Sequence, residues 1–261
     1  MRKFAFLVIT ASTLAATAAW ADEAPICTDR PTKANSTCSV PKGAWQVEAD
    51  GVNWTQVKAG GIKAETTAVA ATTLKYGLTD TSDLQISWTP YLQARVKGPG
   101  VDDKTDGVGD VWIRYKTRVH SGDKVSVALL PYVKIPTAAK GLGNDEVEGG
   151  VAVPISIALD GATLTFGPQV DVLLDADGDG RHAAVTNVVN LARPVTDKLS
   201  LIGELWTSTN FDPADTVTQV SADVAAAYLV APTLQLDAGA NFGLNRDTPD
   251  AQLYVGVSKR F

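Results

Sequence analysis

Residues 83 to 96 set apolar Leu84, Ile86, Trp88, Leu92, Ala94 and Val96 against Gln85, Ser87, Thr89, Gln93 and Arg95 in strict alternation. Successive side chains of a strand point to opposite faces, so a two-residue period demands a strand with one apolar face. Similar segments run at 45–54, 64–77, 108–119, 124–135, 147–159, 162–174, 183–194, 198–211, 217–230, 233–244 and 251–261, making twelve in all. Sustained helical spacing of apolar residues appears nowhere after the first 21 positions. Most of the segments exceed the about 9 to 11 residues that a tilted strand needs to cross a bilayer. An all-β, antiparallel, up-and-down transmembrane barrel of twelve strands is the architecture this pattern predicts.

The connections follow a rhythm of their own. Turns at 78–82, 120–123, 160–161, 195–197 and 231–232 are short. Those at 55–63, 97–107, 136–146, 175–182, 212–216 and 245–250 are mostly longer and rich in Gly, Asp, Lys and Pro. Short turns at one rim and long loops at the other are the asymmetry of an outer-membrane barrel, and an even strand number returns both ends to the same side. A secreted soluble β-sandwich is the rival reading of alternation alone. Pro90, Pro131, Pro154 and Pro168 fall within predicted strands, where each removes a ladder donor, so bulges or broken pairing are expected there. Segments 64–76 and 183–191 are weakly patterned.

Both ends speak to compartment. Arg2 and Lys3 precede an apolar run from Phe4 to Ala19 that closes on Ala19-Trp20-Ala21, which reads as a secretory signal peptide over residues 1–21, cleaved after Ala21. Without Arg2 and Lys3 the chain carries 21 basic against 29 acidic side chains, a balance that argues against a nucleic-acid partner. The last strand places Leu253, Val255, Val257 and Phe261 on one face and Tyr254, Ser258 and Arg260 on the other. Such a strand, ending on phenylalanine, implies outer-membrane lipid and the barrel assembly machinery of a Gram-negative bacterium as partners. Lys259 stands where an aromatic residue is usual, and a lysine there can lift its ammonium to the headgroups. In an exported chain Cys27 and Cys38 are expected to form a disulfide within a periplasmic segment, residues 22–44, ahead of the barrel at 45–261. Two thiols with no nearby histidine supply too few ligands for a metal.

With the apolar faces toward lipid, the opposite faces carry charges of both signs. Arg95, Arg114, Lys116, Arg118, Lys124 and Lys134 come mainly from two adjacent early strands, whereas Glu204 and Asp237 come from late ones. These eight are the candidate lumen and selectivity residues, and a transverse field favouring dipolar or anionic solutes is the expectation. The competing expectation is a set of salt bridges that fills the interior. Asp175, Asp177 and Asp179 alternate before Gly180 and are candidate ligands for a loop-bound calcium ion. The twelfth position of an EF-hand loop would be Thr186, though, so a full EF-hand is not expected. No cofactor is otherwise implied. Neither His120 nor His182 lies near a serine or cysteine nucleophile in sequence, no Gly-x-Ser-x-Gly elbow occurs, and the chain does not read as an enzyme.

Three stretches carry a family resemblance. They are Cys27-Thr-Asp-Arg-Pro-Thr-Lys33 leading to Cys38-Ser-Val-Pro-Lys-Gly43, then Gly107-Val-Gly-Asp-Val-Trp-Ile-Arg-Tyr-Lys116, then Leu130-Pro-Tyr-Val-Lys-Ile-Pro136. They resemble the outer-membrane proteins grouped as the meta-pathway of phenol degradation family. That resemblance implies a barrel of this size that passes small organic solutes, aromatic compounds among them, and brings no catalytic residues. The alternative functional reading is a closed barrel with a structural or lipid-modifying role.

Overall fold

The structure, a computed structural model, describes residues 24–261; the expected signal peptide, residues 1–21, lies outside the described residues. Seventeen extended segments follow one another: β1 (Trp45–Ala59), β2 (Ile62–Val69), β3 (Thr72–Thr79), β4 (Ser82–Trp88), β5 (Tyr91–Gly98), β6 (Val101–Gly107), β7 (Val111–Ser121), β8 (Val125–Ile135), β9 (Glu148–Ala152), β10 (Ile155–Leu159), β11 (Ala162–Phe166), β12 (Gln169–Leu174), β13 (Arg181–Pro194), β14 (Leu199–Phe211), β15 (Thr216–Ala231), β16 (Leu234–Gly243) and β17 (Ala251–Arg260). Five pairs, β2/β3, β4/β5, β6/β7, β9/β10 and β11/β12, are single strands interrupted midway. The wall therefore has twelve antiparallel strands, and β17 pairs with β1 from Gln46↔Arg260 to Gln56↔Ala251 to close the ring.

Closure and burial together exclude the sandwich. Among the most deeply buried side chains are Lys116, Gln46, Gln85, Asp83, Asp223, Ser221 and Ser258, while Leu205, Val224, Val255, Leu253, Phe242 and Phe211 are exposed. A soluble protein with this inversion would present to water a belt of apolar surface far beyond the few hundred Å² usual for monomers; in a bilayer the same belt is the lipid-facing band. Tyr254, Ser258 and Arg260 lie buried on the inner side of β17, as its alternation requires. Closing the ring also leaves no unpaired strand edge for hydrocarbon to strand.

The interruptions lie where the chain chemistry demands them. Thr89-Pro90 separates β4 from β5, Val153-Pro154 separates β9 from β10, and Gly167-Pro168 separates β11 from β12. Pro131 remains inside β8, but the β7–β8 register passes from Arg114↔Tyr132 to Thr117↔Leu129 without pairing the residues between. A positive φ at Ala70 (56°) divides β2 from β3, opposite the Asp50/Val52 register shift in β1, and this local change of phase is why 64–76 reads weakly in sequence. Single backbone bonds bridge the gaps: Gly109 N to Thr89 O (2.9 Å), Val153 N to Pro168 O (2.8 Å) and Gly167 N to Val188 O (2.9 Å).

Two expected loops are strand instead. Residues 55–63 continue β1 and β2 into a hairpin that turns at Gly60 and Gly61 (φ 56° and 81°), and 97–107 forms most of the β5–β6 hairpin, turning at Gly100 (φ 74°). Nearly all of β6 is exposed on both faces, so it carries no apolar stripe by which sequence periodicity could reveal it.

Candidate functional site

The chain ahead of β1 enters the barrel. Residues 24–43 hydrogen-bond to the inner faces of many strands, from the rim where both ends of the barrel chain lie up to the middle of β15. Arg260 Nη2 donates to Ala24 O (2.6 Å), Gln46 Nε2 to Cys27 O (2.8 Å), and Val40 N to Asp83 Oδ2 (2.9 Å); a 2.6 Å hydrogen bond joins the Thr37 and Ser126 hydroxyls. The Cys27–Cys38 disulfide closes the loop, with Cα atoms 6.4 Å apart. This stapled loop is a plug.

Its charges are sorted to match the wall. Asp29 faces the early strands, where Lys75 (2.5 Å) and Lys116 both hold it, and its Oδ1 also accepts from Ser36 N (2.8 Å). Arg30 and Lys33 face the late strands and the adjoining β1: Arg30 engages Asp50 of β1 and Asp237 (2.7 Å), and Lys33 Nζ reaches Asp223 (2.6 Å) and the Ser221 hydroxyl (2.8 Å). Glu204 accepts the backbone N–H groups of Lys33 and Ala34, each at 3.0 Å, and Lys33 Nζ sits 4.8 Å from the Trp206 ring centroid. Ions taken from water need close, hydrogen-bonded partners to be tolerated, and here Asp29, Arg30 and Lys33 have them. Wall glycines make room: a Cβ at Gly256 would collide with the Arg30 guanidinium, and one at Gly77 with the Val40 and Pro41 backbone.

Burial by itself would push the Asp29 carboxyl up, but the Lys116 and Lys75 ammonium groups outweigh it and hold the carboxyl far below the ordinary value of 3.8. A depressed native pKa contributes stability that is complete above the unfolded value and is lost only as pH falls through the depressed one. Acidification from about pH 7 to pH 5, which stays above the unfolded carboxyl range, should therefore leave the Asp29 latch closed. Conductance recorded across that interval should stay constant; a reversible acid opening would show that Asp29 does not hold the plug.

Above the plug lies a cavity of about 610 Å³, walled by Glu48, Asp50, Thr73, Asp110, Trp112, Arg114, Leu130, Tyr132, Gln169 and Asp171 and floored by Asp29 to Asn35. A second cavity of about 280 Å³ lies between the disulfide loop and a hydroxyl-rich wall of Ser156, Thr163, Thr165, Asn190, Ala192 and Ile202. Asp29, Arg30, Thr32 and Asn35 line both, so the two spaces abut across one stretch of plug.

The eight candidate lumen residues occupy different levels. Lys116, Glu204 and Asp237 hold the plug as described. Arg114 lines the upper cavity. Lys134 pairs with Glu148 (2.7 Å) and lies 3.7 Å from Asp110, beneath the 136–147 connection. Arg95 binds Asp102 (2.7 Å) in the exposed β5–β6 hairpin. Arg118 donates to Asp80 O (3.2 Å) at the short-turn rim, and Lys124 is exposed in the β7–β8 turn. Sequence reasoning missed Asp29, Arg30, Lys33, Lys75 and Asp223. The dense charge between Cys27 and Cys38 was the available signal, since a covalently closed, charge-rich loop is suited to a polar interior.

The alternating carboxylates of the acidic loop do not converge on one point. Asp179 N donates to Asp177 Oδ1 (3.0 Å) in a turn through Gly178 (φ 80°), leaving both side chains exposed. Asp175 instead gathers with His182 and Asp212, their ligand atoms within 4.8 Å, and His182 Nδ1 is already 2.8 Å from Asp175 Oδ1. Asp212 also accepts from Ala176 N (2.7 Å) and Ala214 N (2.8 Å), so the trio ties two loops together.

A family model described as "Putative MetA-pathway of phenol degradation" matches residues 28–261. Among solved structures the chain is similar to an outer-membrane channel from Pseudomonas putida, with TM-score 0.71 and 15% identity over 88% of this chain and 100% of that one. It is similar also to the translocator domain of the autotransporter NalP from Neisseria meningitidis (0.56, 15%, 85% and 90%) and to the β domain of the Bordetella autotransporter BrkA (0.51, 13%, 85% and 100%). At these identities the likeness is one of fold. No curated protein sequence matches the chain.

Proposed function

The chain belongs to the phenol-degradation MetA-pathway family, and from that premise we propose that it is an outer-membrane diffusion channel for small organic solutes, aromatic compounds among them. The observation that carries this reading is the pair of cavities, about 610 and 280 Å³, that meet across Asp29 to Asn35 inside a closed ring of strands. On this reading a solute passes down the lumen and then past the disulfide loop along the Ser156, Thr163 and Thr165 wall. The plug leaves it narrow, which suits single small molecules rather than bulk flow. The same reading seats the barrel in the outer membrane of a Gram-negative cell with its apolar belt in the lipid and its short turns and plug facing the periplasm. The similar channel fold supports this assignment. The reading needs no catalytic group and no cofactor, since diffusion requires only a lined path.

Purified protein in planar bilayers should conduct, and proteoliposomes should swell in small neutral solutes. Thr165→Trp, which fills the lower cavity, should cut both signals several-fold. Silent bilayers together with liposomes that fail to swell would remove the channel reading.

A further inference from the structure

We infer that the upper cavity is a binding site for a small aromatic carboxylate, with the ligand's carboxylate on the Arg114 guanidinium and its ring against Trp112 and Tyr132. It deepens the channel reading by naming the solute class, and rests on that reading only for the solute's access.

The cavity's other basic side chains are engaged: Arg30 by Asp50 and Asp237, Lys33 by Asp223. Arg114 makes no ion pair or hydrogen bond with any described residue, and its Nε is shut from solvent without a partner. It lies over the Trp112 ring, whose centroid is 6.0 Å from Cζ. A half-buried guanidinium without an anion is a costly arrangement, and the group that relieves it best is a carboxylate, whose two oxygens match the donor fork.

The aromatic surface beside it is fixed in place. Tyr132 is the cross-strand neighbour of Arg114, and the Trp112 and Tyr132 rings pack with centroids 5.3 Å apart at 44°. The Tyr132 hydroxyl donates to Asp171, which also accepts from Gln169 Nε2 (2.9 Å). Gly150 lies between Tyr132 and Asp171 in the ladder, and a Cβ there would strike the Asp171 carboxylate. Glycine at this position thus preserves the bond that orients the tyrosine. A ligand ring laid on this surface gains stacking or edge contacts.

No acidic group on the wall bonds Arg114: Asp29 and Glu48 attract it only from a distance, and Glu48 is held by Lys75 (2.5 Å). Asp29 is taken by Lys75 and Lys116, Asp50 by Arg30, and Asp110 Oδ1 by the N–H groups of Thr137 and Ala138 (both 2.9 Å). The cavity volume of about 610 Å³ lies within the roughly 300–1,000 Å³ typical of small-molecule sites. A single-ring acid fits with space to move on.

Isothermal titration calorimetry on the detergent-solubilised full chain tests this, with benzoate, acetate, benzyl alcohol and benzylammonium as probes. Benzoate should bind tightest, and Arg114→Gln should weaken it by about tenfold or more, the scale of a lost charge-assisted bidentate contact. Benzoate binding no tighter than acetate or benzylammonium, or unaffected by Arg114→Gln in a variant that still forms the barrel, overturns the inference. The four-ligand comparison needs no variant, so it decides the matter even if Arg114→Gln fails to fold. Benzoate binding in a protein that never conducts would sink the channel reading and keep the site; conduction without benzoate binding would do the reverse.

Discussion

Deleting residues 24–43 is expected to raise single-channel conductance several-fold while the barrel still assembles. The plug fills the lumen from one rim to the middle of β15 and takes part in five ion pairs to the wall: Arg30 with Asp50 and Asp237, Lys33 with Asp223, and Asp29 with Lys75 and Lys116. None of the ladder that closes the barrel passes through it, because β1 begins at Trp45 and pairs directly with β17 and β2. Removing one partner of a buried ion pair ordinarily costs about 3–5 kcal/mol, because the remaining charge is stranded away from water. Here the deletion also admits water to Lys75, Lys116, Asp223 and Asp237, so most of that penalty is relieved by hydration. Single-channel recording of the deleted and full chains checks the prediction. Equal conductance would mean that the plug does not limit flow and that the constriction lies higher, at the Trp112 and Tyr132 level.

The second large effect is on the outside. Val224 is 55% exposed near the middle of β15, whereas its neighbour Asp223 is 2% exposed and faces the plug. If the exposed face meets hydrocarbon, Val224→Arg should cost about 2–4 kcal/mol, the penalty of an arginine at the bilayer midplane of a barrel. Reversible folding into lipid vesicles, followed by denaturant titration, measures this. The same substitution at Val119, exposed at the short-turn end of β7, should cost far less, because side chains near the interface reach water. Equal costs at the two positions would mean that the outer face is not buried in a membrane.

The fold was legible because its pattern is binary. Leu253 and Val255 against Tyr254 and Ser258 state the lipid and lumen faces without ambiguity, and twelve such segments with alternating turn lengths leave few topologies to choose among. Pro90, Pro154 and Pro168 likewise announced where pairing would break, since an imide nitrogen cannot join a ladder. The site was far less legible. Arg114, Lys116, Glu204 and Asp237 could be assigned to the interior, but pairing there is decided by which residues lie across the lumen, and local spacing does not encode that. The deeper omission was Asp29, Arg30 and Lys33. A segment without periodicity leaves open whether it plugs the barrel or hangs below it, and only its fit to charges on β3, β7, β15 and β16 reveals it as the plug.

The interrupted strands give the wall two mechanical characters. From β13 to β17 every strand runs unbroken, for 10 to 16 residues each, like the staves of a cask. Around the arc from β2 to β12 every stave but β8 is jointed, at Ala70, at Pro90, at Gly109, at Pro154 and at Pro168, with one or two backbone bonds across each joint. Strain imposed on the ring goes to the joints first. The cations of the plug, Arg30 and Lys33, are moored chiefly to the rigid staves, while Asp29 and the upper cavity belong to the compliant ones. A wall built this way should give on the Trp112 side of the upper cavity, where β6 and β7 meet at Gly109, before it gives at the strands that hold Lys33 and Asp237.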